Sequence, residues 1–134
     1  MIPAILIGRK GSSGFKGKNT AMLAGNPLAC YPIRAAKSSR YVNQVFLSTD
    51  DDELKRIANM EGINIIDRPA ELATDAALGE DAFAHAYKIV KGIHKDIEMV
   101  VLLFCNSPTL SASIIDECID LLRKNKDADS VVTV

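Results

Sequence analysis

The chain has 134 residues, 48% of them hydrophobic and 25% charged, with a formal net charge of -1. That size supports one domain with a real core, and the composition excludes a disordered segment. A near-neutral chain sets up no field that would recruit nucleic acid or an anionic membrane, no apolar run reaches the length of a membrane span, and the N-terminus lacks a signal-peptide layout. A cytoplasmic protein with a single domain over residues 1–134 is the expectation.

The elements alternate in character along the chain. Residues 3–8 (PAILIG) form a short apolar run ending in glycine, as a buried strand does. Asn26 and Pro27 suit the N-cap and first position of a helix running toward Ser38, with Pro32 delaying or kinking it. Gln44–Thr49 reads as a second strand. Residues 51–61 carry acids in a first helical turn, then Leu54, Ile57 and Ala58 on one face, and stop at Gly62. Residues 63–66 give a third strand. Residues 80–94 place Phe83, Ala84, Tyr87 and Val90 at helical spacing. Residues 98–104 give a fourth strand. Residues 111–124 do as 80–94 do, with Ile114, Ile115, Cys118, Leu121 and Leu122 expected in the core. Residues 130–134 (SVVTV) look like a fifth strand. The β-branched content without strict alternation suits a parallel sheet covered on both faces, so the predicted class is an open, mostly parallel α/β layer fold. Cys30, Cys105 and Cys118 are odd in number and widely spaced, which predicts buried or half-buried thiols rather than a disulfide framework or a zinc site.

In such folds ligands bind beyond the carboxyl ends of the strands. That rule points to residues 8–19, G-R-K-G-S-S-G-F-K-G-K-N, where Gly8, Gly11, Gly14 and Gly17 recur every third residue. Glycines let a backbone come close to a ligand, and successive N–H groups of such a loop can converge on phosphate oxygens. Arg9, Lys10, Lys16 and Lys18 add local positive charge that suits a small anion. The P-loop pattern fails, because its leading position is Ser12 and its last Asn19, and the dinucleotide G-x-G-x-x-G is absent. From the residues alone, a phosphate-binding loop stands beside a glycine-rich surface turn with solvated lysines.

The same stretch resembles the N-terminal signature of the acylneuraminate cytidylyltransferases, A-R-x-G-S-x-G-x-x-x-K-N, with Arg9, Gly11, Ser12, Gly14, Lys18 and Asn19 in register and Gly8 in place of the usual Ala. Gly25-Asn26-Pro27-Leu28 with Ala35-Ala36, Ser48-Thr49-Asp50, and Arg68 through Asp75 followed by His85-Ala86 resemble three further motifs of that family, in order. The resemblance implies the nucleotide-diphospho-sugar transferase variant of the Rossmann-like fold. It implies transfer of CMP from CTP to an acidic nine-carbon sugar, with Mg²⁺ as cofactor and pyrophosphate released. By the resemblance, Arg9 and Lys18 are the catalytic candidates, and the nucleotide-binding set is Gly8, Arg9, Gly11, Ser12, Gly14, Lys18, Asn19, Arg68 and Gly79. Asn106 and Ser107 become candidates for contact with the acceptor sugar. No metal ligand is assigned, although Asp75 could reach a metal through water or cap a helix. The partners implied are CTP and an acidic sugar, and the resemblance admits a homodimer.

Several of these residues also have plainer readings. Arg68 could form a surface ion pair with Asp67 or Glu71. Asp50 is expected to cap a helix, His85 to be a packed, hydrogen-bonded residue and His94 a solvated helix end. The family's L-x-P-T-[SA]-P-L-R reads Leu103-Phe104-Cys105-Asn106-Ser107-Pro108-Thr109-Leu110 here, so Phe104 stands where a polar sugar-contacting residue, often Gln, is expected. The chain is also shorter than the family's members, and a truncated nucleotide-binding domain is expected. Two alternatives follow: a catalytically inactive module that binds nucleotide or pairs with a longer partner, and a 3-deoxy-manno-octulosonate cytidylyltransferase, whose loop S-x-R-x-P-G-K is not met.

Overall fold

The structure, a computed structural model, describes residues 1–8, 21–72 and 79–133. In chain order these form β1 (Pro3–Ile7), β2 (Met22–Leu23), β3 (Asn26–Pro27), α1 (Cys30–Ser38), β4 (Gln44–Thr49), α2 (Asp52–Glu61), β5 (Asn64–Asp67), a 3₁₀ turn (Ala70–Leu72), α3 (Gly79–Ile93), β6 (Val101–Phe104) and α4 (Ala112–Lys124). Among the described residues the main sheet has order β5-β4-β1-β6, and every pairing in it is parallel.

The pleat of the strands decides which side chains meet which helices. Ala4, Leu6, Val45, Leu47 and Leu103 face one side, against Ile33 and Ala36 of α1, Leu54 and Ile57 of α2, and Ile115 and Ile119 of α4. Ile5, Phe46 and Ile66 face the other, against Ala86 and Val90 of α3. Neighbouring residues of one strand therefore go to opposite cores, as two-sided burial requires. The expected open parallel sheet with helices on both faces is what forms.

The caps explain the sharp ends of α2. Asp51 accepts from the Glu53 amide at 3.0 Å, and Gly62 closes the helix in the left-handed region at φ 71°. Ser111 caps α4 in the same way through the Ile114 amide at 3.2 Å. The helix of residues 26–38 is shorter than expected. Asn26 and Pro27 pair antiparallel with Met22 and Leu23 in a hairpin whose two turn residues, Ala24 (φ 51°) and Gly25 (φ 86°), both have positive φ. Helix α1 starts only at Cys30, and Pro32 is its third residue, where a missing N–H costs no helical bond.

Three further expectations are corrected. Residues 130–133 form no strand: no described strand lies beside them, and Val132 is 78% exposed. β-branched residues supply propensity, but a ladder needs a neighbouring backbone. On α4 the buried face is Ile115, Asp116 and Ile119, while Ile114 and Leu121 are exposed. Asp116 fixes that rotation by accepting from Ser39 Oγ and from the Arg40 amide, and Tyr41 donates to Asp120 at 2.6 Å. On α3 the inward residues are Ala82, Ala86 and Val90, with Phe83 and Tyr87 on the flank and Ala84 exposed.

Candidate functional site at the carboxyl ends of the strands

All four parallel strands end on the same rim, and three backbone bonds extend the ladders one residue beyond them. The Gly8 amide donates to the Ser48 carbonyl at 3.2 Å, Arg68 N to the Thr49 carbonyl at 3.1 Å, and Cys105 N to the Ile7 carbonyl at 3.2 Å. Gly8 and Cys105 are therefore level with one another, and Arg68 stands one residue further along, past the end of β5. Residues 9–20 leave from Gly8, so the glycine-rich loop starts at this rim. Arg9, Gly11, Ser12, Gly14, Lys18 and Asn19 themselves lie outside the described residues, as does Asp75.

Arg68 is 7% exposed, and its Nη2 donates to the Ser48 carbonyl at 3.2 Å. One oxygen thus accepts from both the base of the glycine loop and the guanidinium. The surface-pair reading of Arg68 does not hold, because the side chain is buried across the strand ends, while Asp67 pairs with Lys55 at 2.7 Å. A buried guanidinium carries several donors that must be satisfied by protein, water or ligand. Its charge is felt at the Cys105 thiol and draws that group's pKa down. Burial outweighs it, and with a smaller push from Asp51 the thiol goes up to about 12. Cys105 is thus a neutral packing group at physiological pH rather than a nucleophile. Cys30 is buried too and Cys118 half-buried, and all three thiols are free, as expected.

The cap expected of Asp50 belongs to Asp51, whose amide in turn donates to Thr49 Oγ1 at 3.0 Å. The extended backbone at Asp51 (φ -89°, ψ 119°) makes it the residue whose side chain reaches the helix amides. Asp50 is left half-buried on the rim. Gly79 is the first residue of α3, and a Cβ there would meet Ile7 Cδ1 at 3.8 Å, an ordinary contact. Packing alone does not require glycine at 79. Asn106, exposed, and Ser107, half-buried, lie in the turn after β6, where the Leu110 amide bonds the Ser107 carbonyl at 3.3 Å.

Two polar atoms were missed by reading the residues. Ser48 Oγ is fully buried with no hydrogen-bond partner among the described residues, and its carbonyl is the shared acceptor. His85 is half-buried, and its Nδ1 has no partner among the described residues. The sequence signal for Ser48 was its place at the end of an apolar strand. His94 is not simply solvated, since its ring meets Phe46 edge-on at 6.5 Å. Among the described residues no group of three or more His, Cys, Asp or Glu could hold a metal ion, and no helix is long and apolar enough to cross a membrane.

With this rim in place, known proteins give it a lineage. The family profile described as Cytidylyltransferase matches residues 3–134. The chain belongs to the cytidylyltransferase family. It is 35% identical over 133 residues to an N-acylneuraminate cytidylyltransferase of Escherichia coli O18:K1:H7 (strain RS218 / NMEC), a match covering 99% of this chain and 31% of the relative. It is 29% identical over 131 residues to a Helicobacter pylori (strain ATCC 700392 / 26695) protein named pseudaminic acid cytidylyltransferase and UDP-2,4-diacetamido-2,4,6-trideoxy-beta-L-altropyranose hydrolase, covering 97% of this chain and 25% of that one. The chain thus spans about a third or less of the length of these relatives. Among solved structures, CMP:2-keto-3-deoxy-manno-octonic acid synthetase complexed with CTP has the same fold, with a TM-score of 0.74 at 20% identity over 93% of this chain and 48% of that one. The rim at Gly8 and Arg68 is therefore the carboxyl edge of a cytidylyltransferase sheet.

Proposed function

We propose that a protein carrying this chain transfers CMP from CTP to an acidic nine-carbon sugar of the N-acylneuraminate type. The observation that carries the reading is the family match running through a glycine-rich loop that leaves the sheet at Gly8, level with the buried guanidinium of Arg68. The names of the Escherichia coli and Helicobacter pylori relatives support the acceptor class.

In this reaction the anomeric hydroxyl oxygen of the sugar attacks the α-phosphorus. The bond from that phosphorus to the bridging oxygen of the β-phosphate breaks, pyrophosphate leaves, and the hydroxyl proton passes to solvent. Positioning and neutralisation of developing charge contribute most of the rate. Arg68 suits this role because the Ser48 carbonyl fixes one edge of its guanidinium. Arg9 and Lys18 supply the charges that meet the triphosphate in this reading, Gly79 leaves room for a phosphate at the start of α3, and Asn106 and Ser107 meet the acceptor. Mg²⁺, when bound, supplies charge neutralisation on the phosphates. The lack of a three-donor cluster among the described residues is compatible with it, because Mg²⁺ takes most of its ligands from phosphate and water.

The test is calorimetric titration of the chain with CTP, ATP and UTP in the presence of Mg²⁺, alongside Arg9→Ala. Selective CTP binding that is lost in the variant is expected. A folded chain that binds the three nucleotides equally, or none, overturns the reading. Pyrophosphate release with an acidic-sugar panel then separates an enzyme from a binding module.

A further inference from the structure

Ser48 breaks an apolar row. Across the strands it is level with Ile66 of β5 and Ile7 of β1, so all three side chains stand on the face that packs under α3. Ile7 and Ile66 are buried and have nothing to offer a hydroxyl. Ser48 is fully buried between them, and its Oγ has no hydrogen-bond partner among the described residues. Its neighbour Thr49 is buried as deeply on the opposite face, but there Oγ1 accepts from the Asp51 amide at 3.0 Å. A buried hydroxyl that bonds nothing costs free energy that an alanine of nearly the same size would not.

The path of Arg68 gives that hydroxyl a use. Arg68 leaves the end of β5, yet its Nη2 reaches the Ser48 carbonyl, which points toward β1 and also accepts from the Gly8 amide. The guanidinium must therefore cross β4 at the level of residue 48. Residue 68 follows Ile66 in the pleat, so the crossing is made on the face from which the Ser48 side chain projects. A guanidinium carries its donors in one planar fork, and a serine offers it two acceptors, the carbonyl and the hydroxyl oxygen.

We propose that Ser48 is a positioning residue for the nucleotide: its hydroxyl accepts a second N–H of Arg68 when phosphate is bound, and so fixes the plane of the guanidinium that meets the phosphate. The inference rests on the proposed CTP site. One acceptor leaves the fork free to turn about that bond, whereas two oxygens of one residue hold it in a plane, and a forked contact depends on that plane. Alanine at 48 would keep the carbonyl and lose the second hold.

The test is a double-mutant cycle on CTP affinity in the full chain with Mg²⁺: Ser48→Ala, Arg68→Met and the two combined. Calorimetry reads the tight binders and NMR titration the weak ones. Ser48→Ala is expected to weaken CTP roughly tenfold, the size of one charge-assisted hydrogen bond, and to change affinity by less than about twofold once Arg68 is replaced. Its urea midpoint is expected to equal or exceed that of the unchanged chain, which also shows that the variant folds. Unchanged CTP affinity in Ser48→Ala, or an undiminished loss in the Arg68→Met background, would overturn the proposal. So would a lower urea midpoint, because the hydroxyl would then be bonded without nucleotide. Where Arg68→Met binds no CTP at millimolar concentration, the NMR signal of the Arg68 side-chain N–H decides. CTP is expected to slow its exchange with water in the unchanged chain but not in CTP-saturated Ser48→Ala, and equal slowing in both refutes the proposal. A folded, unchanged chain that binds no CTP removes the CTP-site reading itself and this inference with it, and is told apart because that result needs no variant.

Discussion

Replacing Arg68 by Met keeps most of the buried stem and removes the guanidinium, so it separates what the charge does for the fold from what it does for a ligand. For the fold, the loss includes the bond from Nη2 to the Ser48 carbonyl in a residue 7% exposed. A hydrogen bond from a charged donor contributes about 1.5–3 kcal/mol. Part of that is returned, because the variant no longer desolvates a cation. From this bond alone a net destabilisation of at least about 1–2 kcal/mol follows, or roughly 4–8 °C in Tm for a domain of this size. For the ligand, losing a fixed fork on a phosphate oxygen should weaken CTP binding by about 2–3 kcal/mol, on the order of 30- to 150-fold. Urea denaturation gives the first number and calorimetry of the folded variant the second. Arg68→Lys should recover charge but not the fork, and should sit between the two. If Arg68→Met loses stability while CTP binds as tightly as before, Arg68 is a structural strap and the anion-site argument is wrong.

Other outcomes follow from single features. Ala24 holds φ 51° in the hairpin turn, a conformation costing a non-glycine residue about 1–2 kcal/mol, against about 0.4–1 kcal/mol of extra unfolded-state entropy for glycine. Ala24→Gly should therefore stabilise the chain by about 0.5–1 kcal/mol in urea titrations, and destabilisation would contradict the turn assignment. Asp116→Ala strands the Ser39 hydroxyl and Arg40 amide beneath α4 and should cost about 2–3 kcal/mol; a change under about 1 kcal/mol would mean that water replaces the carboxylate freely. The Cys30 and Cys105 thiols are both raised by burial, so their contribution is fully present below the unfolded thiol range near pH 9 and is lost as pH rises toward the folded value, about 12 for Cys105. Stability should fall above pH 9, less steeply in Cys105→Ala, and thiol-reagent labelling of the native chain at pH 8 should leave Cys105 unreacted.

How much of this was legible depended on whether the signal was local. Strand β4 was readable to its ends because an apolar run is bounded by Gln44 and by the acids after Thr49, and α2 because its first-turn acids and its stop glycine both lie in the chain. The hairpin was not, because two-residue strands carry no periodicity, and Ala24 is a poor advertisement for a left-handed turn that Gly25 only half announces. The face of α4 was ambiguous because Ile114-Ile115 and Leu121-Leu122 allow two rotations, and the choice is made by Ser39, Arg40 and Tyr41, far away in sequence. At the site, the starting point of the loop was readable from Gly8 onward, and Arg68 could be placed near a strand end. That its guanidinium shares an acceptor with the Gly8 amide is a tertiary fact with no local trace. The exposed ring of Phe104 was visible as an odd residue in the motif, but not its partner on α3.

The shared acceptor also says what evolution can and cannot adjust here. The separation between the first amide of the glycine loop and the guanidinium is set by a peptide oxygen, so no choice of side chain at position 48 can lengthen or shorten it. The gauge is written in strand register. Only an insertion or slip in β4, which would also turn Phe46 and Leu47 to the wrong cores, could change it. Side chains around this rim are free to drift while the distance across it stays fixed.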